Sequence, residues 1–189
     1  MPRRRHLFDT PDRFVTGTVG APGSRVFFLQ ARVGSRIVSV ALEKVQVAAL
    51  AQRLLELLEE LERRGIEDAA EVDGELGDTA PLDEPINEAF RVGTLSLGWD
   101  TSDELVILEA REITDEDEEG EEEEAAEEGD EAEDGPDLLR VRITPGEARR
   151  FVARAVRVLA AGRPPCPLCG QPLDPQGHLC PRRNGHLLN

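Results

Sequence analysis

The stretch RFVTGTV at residues 13–19 is followed, 76 positions later, by a related stretch, AFRVGTL, at residues 89–95. FFLQAR at residues 27–32 has its counterpart, VILEAR, 79 positions later at residues 106–111. A third segment, residues 38–58, has a counterpart 101 positions later, so 22 residues are inserted in the second copy, where an acidic run lies. An internal repeat of this kind indicates two related structural units.

Each unit has the pattern of three strands and a helix. In the first, strands are predicted at about 13–19, 25–32 and 36–43, and a helix from Glu43 to Arg64. The loops between the strands are short and rich in Gly, Pro and Ser, which favours an antiparallel meander. Apolar residues recur along the helix at spacings of three and four, so one stripe faces a core. The stripe comprises Val47, Leu50, Leu54, Leu57, Leu58 and Leu61.

The second unit repeats this plan. Strands are predicted near 89–98, 104–113 and 138–143, and a helix from Pro145 to Ala161. Thr144, Pro145 and Glu147 form a start signal, with an N-cap hydroxyl, a proline at the first helical position and a carboxylate three residues after the cap. The expected buried stripe comprises Ala148, Phe151, Val152, Ala155, Val156 and Leu159.

These patterns predict the α+β class. A three-stranded meander with one helix leaves one sheet face open, so the two βββα units are expected to pack with pseudo-twofold symmetry. The expected core is a six-stranded antiparallel arrangement with two helices, as one continuous sheet or as two sheets face to face. The predicted segments are an N-terminal arm (1–12), the first unit (13–64), a linker (65–88), the second unit (89–162) and a C-terminal zinc module (163–189).

The net charge of −17 is concentrated in one segment. Residues 115–134 contain 15 of the 39 acidic residues and no Lys or Arg, which leaves 24 acidic against 22 basic residues elsewhere. Such a run cannot collapse against itself, and residues 115–137 are expected to form a disordered insertion. It could mimic nucleic-acid phosphates, cover a basic surface or simply act as a solubilising loop.

The sequence also indicates in which cellular compartment the protein is located. The longest apolar stretches fall far short of 18 residues, so no transmembrane helix and no membrane partner is predicted. The N-terminus, MPRRRHL, has no apolar signal-peptide region. Three cysteines, all within the last 24 residues, are typical of a reducing compartment, and a cytoplasmic protein is expected.

The cysteines form the strongest local motif. Cys166-Pro167-Leu168-Cys169-Gly170 has the form of a zinc knuckle, in which two thiolates point at one metal ion. Cys180 is the expected third ligand, and the fourth is His178 or, as the alternative, His186. Four ligands within 21 residues favour a closed, structural Zn²⁺ site over a catalytic one. A redox role is less consistent with a Cys-x-x-Cys that follows a helix and Pro164-Pro165.

Arginines flank this motif and suggest a contact surface. Three lie on the last helix and three in the tail: Arg150, Arg154, Arg157, Arg163, Arg182 and Arg183. Zinc modules with such neighbours contact nucleic acid or proteins that handle it. The alternative is a set of solvated arginines in an arginine-rich chain, in which Lys44 is the only lysine.

Recognised catalytic motifs are missing from the sequence. It has no P-loop, no Gly-x-Gly-x-x-Gly, no His-Glu-x-x-His and no Gly-x-Ser-x-Gly. An acid–base mechanism based on histidine is poorly supported, because the chain has only three histidines: His6, His178 and His186. Trp99-Asp100, at the end of a strand, could form the rim of a cleft between the units or the edge of the core with a turn cap.

The chain resembles a family of uncharacterised actinobacterial proteins of about this length, some described only as repeat proteins. The resemblance covers essentially the whole chain and rests on several motifs. These are Arg13-Phe14, Gly17 to Gly20, Phe28 to Arg32, Ser39 to Lys44, Phe90 to Gly93, Leu97 to Asp100 and Pro165 to Cys180. It implies a cytoplasmic protein without an assigned activity, and its Gly-His-x-Cys element favours His178 as the fourth zinc ligand.

The sequence therefore predicts a zinc-stabilised adaptor that binds another protein, more consistent with a non-catalytic role. Transcription or nucleic-acid machinery is a candidate setting for it. The first alternative is a small-molecule-binding protein or enzyme that uses a cleft between the two units. The second is direct nucleic-acid binding through the arginine-rich C-terminal region, which the near-neutral body of the chain makes less favourable.

Overall fold

The described residues form one seven-stranded mixed sheet and two helices, an α+β arrangement, in a computed structural model that describes residues 3–66, 78–114, 135–162 and 166–169. The strands follow the order β1-β7-β6-β5-β4-β3-β2 across the sheet. In chain order the elements are β1 (Arg5–Asp9), β2 (Arg13–Val19), β3 (Val26–Val33), β4 (Arg36–Leu42), α1 (Lys44–Arg63), β5 (Glu88–Asp100), β6 (Leu105–Glu112), β7 (Leu138–Ile143) and α2 (Pro145–Ala160).

Six predicted strands and both predicted helices are present within a few residues of their expected bounds. The expected six-stranded antiparallel core is wrong in two respects. The N-terminal arm contains β1, which pairs in parallel with β7. The core is also not purely antiparallel, because β4 and β5 pair in parallel where the two units meet. The sheet therefore has seven strands of mixed direction.

The sheet must be rolled. β1 and β2 lie at opposite ends of the strand order, yet only residues 10–12 connect them. Four Cα–Cα steps span at most about 15 Å, whereas seven strands laid flat would separate the two edges by about 29 Å. The edges are thus brought close together. Arg36, at the β3–β4 turn, reaches across to β1 and donates to the Leu7 carbonyl at 3.2 Å.

Strand registers allow the repeat to be compared with the fold. Arg13 lies opposite Arg32 in the β2–β3 pair, and Thr94 lies opposite Arg111 in the β5–β6 pair. Since Arg111 follows Arg32 by the 79 positions found in the sequence, the register matches Arg13 with Thr94, 81 positions later. For this strand, the correspondence found by comparing sequences (76 positions) therefore differs by five residues from the one that the strand pairing gives (81 positions). The pseudo-twofold packing stays a prediction.

The core lies between one face of the sheet and the two helices. On α1 the buried stripe agrees with the expectation, except that Leu57 is only partly buried. On α2, Ala148, Phe151, Val152 and Ala155 are buried as expected. Val156 was expected to be buried but is 57 % exposed, whereas Arg154, which was expected on the surface, is buried. The helix is thus rotated slightly from the orientation that apolarity alone predicts.

The opposite face of β2–β4 is covered by residues 78–87, which we call the strap. Leu82 of the strap packs against Val15, Phe28 and Ala41 in a second small apolar cluster. The side-chain amide of Gln30 binds the backbone of the strap in both directions, donating to the Asp83 carbonyl at 2.9 Å and accepting from the Asp83 N–H at 2.7 Å. Part of the predicted linker therefore serves as a structural cover.

Gly17 is required where the strap crosses β2. A Cβ atom at this position would lie 2.7 Å from Cγ of Leu82, whereas at Gly98 in β5 the nearest atom, Cβ of Ile107, lies 3.8 Å away. We therefore expect Gly17→Ala to destabilise the protein by about 1–3 kcal/mol through overpacking. Gly98→Ala, the matched control, should cost nothing or stabilise slightly. Urea unfolding of both variants measures the difference, and equal stability of the two would contradict the strap packing.

Candidate functional site

Helix α2 carries the candidate site, and its start is fixed locally. The Thr144 side chain accepts a hydrogen bond from the Glu147 N–H at 3.2 Å, while the Glu147 carboxylate accepts from the Thr144 N–H at 2.9 Å. Pro145 occupies the first turn. This is the capping box that the sequence predicts, and it satisfies backbone donors that a helix start otherwise leaves unpaired.

Two contacts hold α2 against β2. The rings of Phe14 and Phe151 stack with their centroids 4.9 Å apart and their planes 10° from parallel. Beside them, Arg154 is 6 % exposed and its Nε donates to the Thr16 carbonyl at 2.6 Å. β2 is an edge strand in the sheet order, and Arg154 supplies a hydrogen-bond donor from α2 to its backbone.

Asp78, the first residue of the strap, connects Arg154 of α2 to Arg13 of β2. Its carboxylate accepts from Nη1 of Arg154 at 3.0 Å and forms an ion pair with Arg13. The hydrogen bond from Arg13 holds the pKa of Asp78 below its usual value, and in return raises the pKa of Arg13. Arg13 also binds Asp83 at 2.8 Å. The arginines of β2 and α2 are therefore bridged by the strap.

The six predicted contact arginines do not form one exposed face. Arg154 is buried in the bridge just described, which corrects its expected place on the surface. Arg157 is partly buried and donates to the Asp78 carbonyl at 3.0 Å. Arg150 is exposed. The remaining three, Arg163, Arg182 and Arg183, lie outside the described residues.

The cysteine motif begins shortly after α2. Cys166 is buried, at 6 % exposure, and Cys169 is partly exposed at the end of the turn formed by residues 167–169. Of the other predicted ligands, His178, Cys180 and His186 lie outside the described residues. Within the described part of the chain, no three His, Cys, Asp or Glu side chains are grouped so that they could hold a metal ion. The zinc site therefore stays a prediction.

Trp99 and Asp100 lie at the β5–β6 turn. Asp100 accepts hydrogen bonds from the N–H groups of Ser102 and Asp103, at 2.9 and 3.2 Å, and from Arg142 at 2.6 Å. The hydrogen bonds from these two backbone N–H groups, and to a smaller extent the one from Arg142, hold the pKa of Asp100 below its usual value. Trp99 is partly buried against the core. This environment is typical of a turn cap at the edge of the core, the alternative to the cleft rim.

The two units also meet at a cavity, although not beside Trp99. It has a volume of about 140 Å³ and lies between the start of β2, the end of β7 and the first turns of α2. The Phe14–Phe151 pair and Arg13, Arg150 and Arg154 contribute to its lining. Sequence analysis did not propose Arg13, Asp78 or Asp83 as site residues, because an ion-pair network between distant segments leaves no local pattern.

His6, on β1, is a further titratable group with an unusual environment. Its ring stacks on Phe90 with a centroid distance of 6.4 Å, and its Nε2 atom is buried without a hydrogen-bond partner among the described residues. Burial, and then the charges of Arg36 and Arg4, lower its pKa below 6.5, against an opposing effect of Asp137. The folded protein therefore favours neutral His6.

This environment gives a pH dependence with a defined sign. A histidine whose folded pKa is lowered takes up protons more readily in the unfolded chain, so stability is lost as the pH falls below 6.5 towards the folded pKa. We expect His6→Gln to reduce the loss of unfolding free energy between pH 7 and pH 5 relative to the unsubstituted protein. Urea unfolding at both pH values measures this, and an equal loss in the two proteins would contradict the assignment.

The fold and these contacts define an α+β protein in which a buried arginine, Arg154, binds helix α2 to the rolled, mixed sheet. Neither helix in the described ranges is both long and apolar enough to cross a membrane. The family model described as protein of unknown function (DUF3090) matches residues 6–180, and the chain belongs to this family. No curated protein and no solved structure matches the chain.

Proposed function

We propose that the protein is a non-catalytic, zinc-stabilised adaptor that binds another protein. The observation that carries the proposal is the placement of the cysteine turn. It starts six residues after the end of α2, and its first thiol is buried while its second is partly exposed. α2 is fixed to β2 by Phe151 and Arg154. The helix that precedes the tail in the chain is therefore held firmly to the sheet, and a recognition module placed after such an element would be well supported.

A structural metal would give this tail its order. Cys166, Cys169, His178 and Cys180 supply the three sulfurs and one nitrogen that suit tetrahedral Zn²⁺, with His186 as the alternative nitrogen ligand. The tail from residue 163 has few apolar side chains, and for such a segment metal binding provides the folding free energy that a small core does not.

Four of the shifted pKa values support a non-catalytic role. A general acid or base works best with a pKa near the working pH. Instead, hydrogen bonds lower the pKa of Asp78 and Asp100 and raise those of Arg13 and Arg142. Each of these groups is driven further into its charged form, which suits ion pairs that hold a fold together.

The contact surface of the adaptor would combine α2 with the tail. Arg150 and Arg157 lie on α2, and Arg163, Arg182 and Arg183 would be presented by the zinc module. Arginine is enriched at protein interfaces, where its planar group binds carboxylates. An acidic protein surface is therefore the proposed partner, in preference to nucleic acid, because the chain outside residues 115–134 is close to neutral.

We also propose that the fold arose by duplication. Under the 81-position match, Leu7 corresponds to Glu88, and Leu7 lies opposite Arg140 just as Glu88 lies opposite Ser39. Arg140 follows Ser39 by the 101 positions of the third strand. β1 thus corresponds to the start of β5, and in each unit the first strand pairs in parallel with the last strand of the other unit. This agreement of registers supports a pseudo-twofold arrangement.

Zinc content tests the metal site directly. We expect the purified full chain to bind a single Zn²⁺ ion, measured by atomic emission, and Cys169→Ser to lose it while urea unfolding of the core is unchanged. His178→Ala and His186→Ala are a matched pair, and only the true ligand should lower the zinc content. A zinc-free protein from zinc-supplemented cells would contradict the proposal.

The adaptor role is tested by capture from native lysate with the tagged full chain. A partner that remains after nuclease treatment and is lost with Cys169→Ser supports a protein-binding, zinc-dependent surface. Equal capture by both proteins would show that the zinc module is not the binding element. Loss of the partner on nuclease treatment would make nucleic acid the target instead.

A further inference from the structure

A second cavity, apart from the one between β2 and α2, lies where the start of β3, the first residue of α1 and the end of α2 meet. Its volume of about 390 Å³ is typical of small-molecule sites, which range over about 300–1,000 Å³. Phe27 and Leu159 give the cavity an apolar side, and Arg25 and Lys44 give it a charged side. Since β3 and α1 belong to the first unit and α2 to the second, the cavity is a cleft between the units. Its remaining lining residues are small: Gly23, Ala160 and Gly162.

The charged lining of this cleft is entirely positive. Among the described residues that line it, none is acidic. Glu43, next to Lys44 in the chain, does not line the cleft and pairs with Arg91 at 3.0 Å. Arg25 donates to the Ala161 carbonyl, a neutral acceptor, so this contact leaves the charge of its guanidinium uncompensated. In the described part of the chain, the lining therefore carries two positive side chains and no negative one.

Lys44 occupies a position where helix energetics disfavour a cation. It is the first residue of α1, and the N-terminus of a helix carries roughly half a positive elementary charge. The first turn of α1 contains no acidic residue to offset that charge. The opposite partial charge at the end of α2 is already bound by Arg25 through the Ala161 carbonyl. Helix stability therefore does not account for Lys44, the only lysine of the chain, whereas an anion in the cleft would.

We infer that this cleft binds a small organic anion, with its acidic group between Arg25 and Lys44 and its apolar part against Phe27 and Leu159. Both cations form charge-assisted hydrogen bonds with carboxylate and phosphate oxygens. The apolar side favours a ring or a short hydrocarbon chain, because burial of that part removes apolar surface from water. The site needs residues of both units, and the residues named here all precede the proposed zinc module.

Benzoate and phenyl phosphate are suitable probes, since each joins an aromatic ring to one of the two acidic groups. Calorimetric titration of the full chain at constant ionic strength should show saturable binding of at least one of them. The tighter probe identifies the acidic group as carboxylate or phosphate. Benzyl alcohol has the ring without the charge and acetate the charge without the ring, and both should bind at least about tenfold more weakly. No binding of either probe, or equally tight binding of either control compound, would overturn the inference.

The place of binding is tested by NMR and by substitution. The amide signals of Gly23 and Gly162, which line the cleft, should shift on titration, whereas that of Gly98 in β5 should not. Lys44→Gln should weaken binding about tenfold, the effect of losing one charge-assisted hydrogen bond, with Tm in the absence of probe unchanged or slightly higher. Arg53→Gln removes an exposed cation of α1 that does not line the cleft, so this matched control should bind as the unsubstituted protein does. Equal weakening by the two substitutions would contradict the inferred site.

Discussion

Phe151→Ala will lower the free energy of unfolding by about 4 kcal/mol, the typical cost of removing a fully buried phenylalanine ring. Phe151 is 1 % exposed and belongs to the main core, where it stacks on Phe14 of β2. The loss of stability has two parts: the free energy that burial of the ring contributes, and the cost of the cavity that remains between helix and strand. Urea denaturation followed by circular dichroism measures it.

Val156→Ala is the control for this experiment. It lies on the same helix and shortens an apolar side chain that is 57 % exposed, so it should change stability by less than about 0.5 kcal/mol. If the two substitutions cost the same, α2 does not pack against β2 in the orientation described here.

Arg154→Met is expected to cost about 3 kcal/mol. Methionine keeps a long apolar stem but removes the guanidinium, which leaves the Thr16 carbonyl without its donor and deprives Asp78 of one of its two charge partners. A buried acceptor without a partner costs about 1–3 kcal/mol, and breaking a buried ion pair adds to that. The partial exposure of Asp78 keeps the total below the largest values known for such pairs.

A double-mutant cycle separates the ion pair from general damage to the helix. Arg154→Met and Asp78→Asn together should cost clearly less than the sum of the single substitutions, because either one alone breaks the same interaction. Arg53→Met, on the exposed face of α1, is the neutral control. Strict additivity of Arg154→Met and Asp78→Asn would show that the two side chains are not coupled.

The elements that sequence analysis predicted well are those with a local cause. β2, β3 and β4 follow from short apolar runs bounded by turn residues, and α1 from its apolar stripe. The start of α2 was predicted to the residue, because Thr144, Pro145 and Glu147 act on their immediate neighbours.

The parts that were missed depend on distant partners. β1 has the sequence RHLFD, in which Phe8 is the only fully buried residue, and its pairing strand begins at Leu138. Nothing in five such residues predicts a strand. The parallel pairing of β4 with β5 was missed for a similar reason, because a repeat describes each unit and leaves the junction between the units open.

The helical position of Arg154 indicated burial, but its charge led to the opposite prediction. It lies between Phe151 and Ala155 on the helix and so falls on the edge of the buried stripe. Its charge favoured an exposed position, but the Thr16 carbonyl and Asp78 stabilise it inside. The candidate zinc ligands were predicted from their spacing and from the family resemblance, and they stay a prediction. The cavity between the units could not be predicted without knowing that α2 packs on β2.

The parallel pairing of β1 with β7 also constrains how the protein is made. β1 leaves the ribosome well before its partner β7, which ends at Ile143, more than 130 residues later. Until then the nascent chain carries an unpaired β1 and an uncovered edge on β2, because α2 follows later still. Such long-range closure is slow and leaves edges open to wrong partners. The rolled sheet can therefore close only after β7 and α2 have been synthesised.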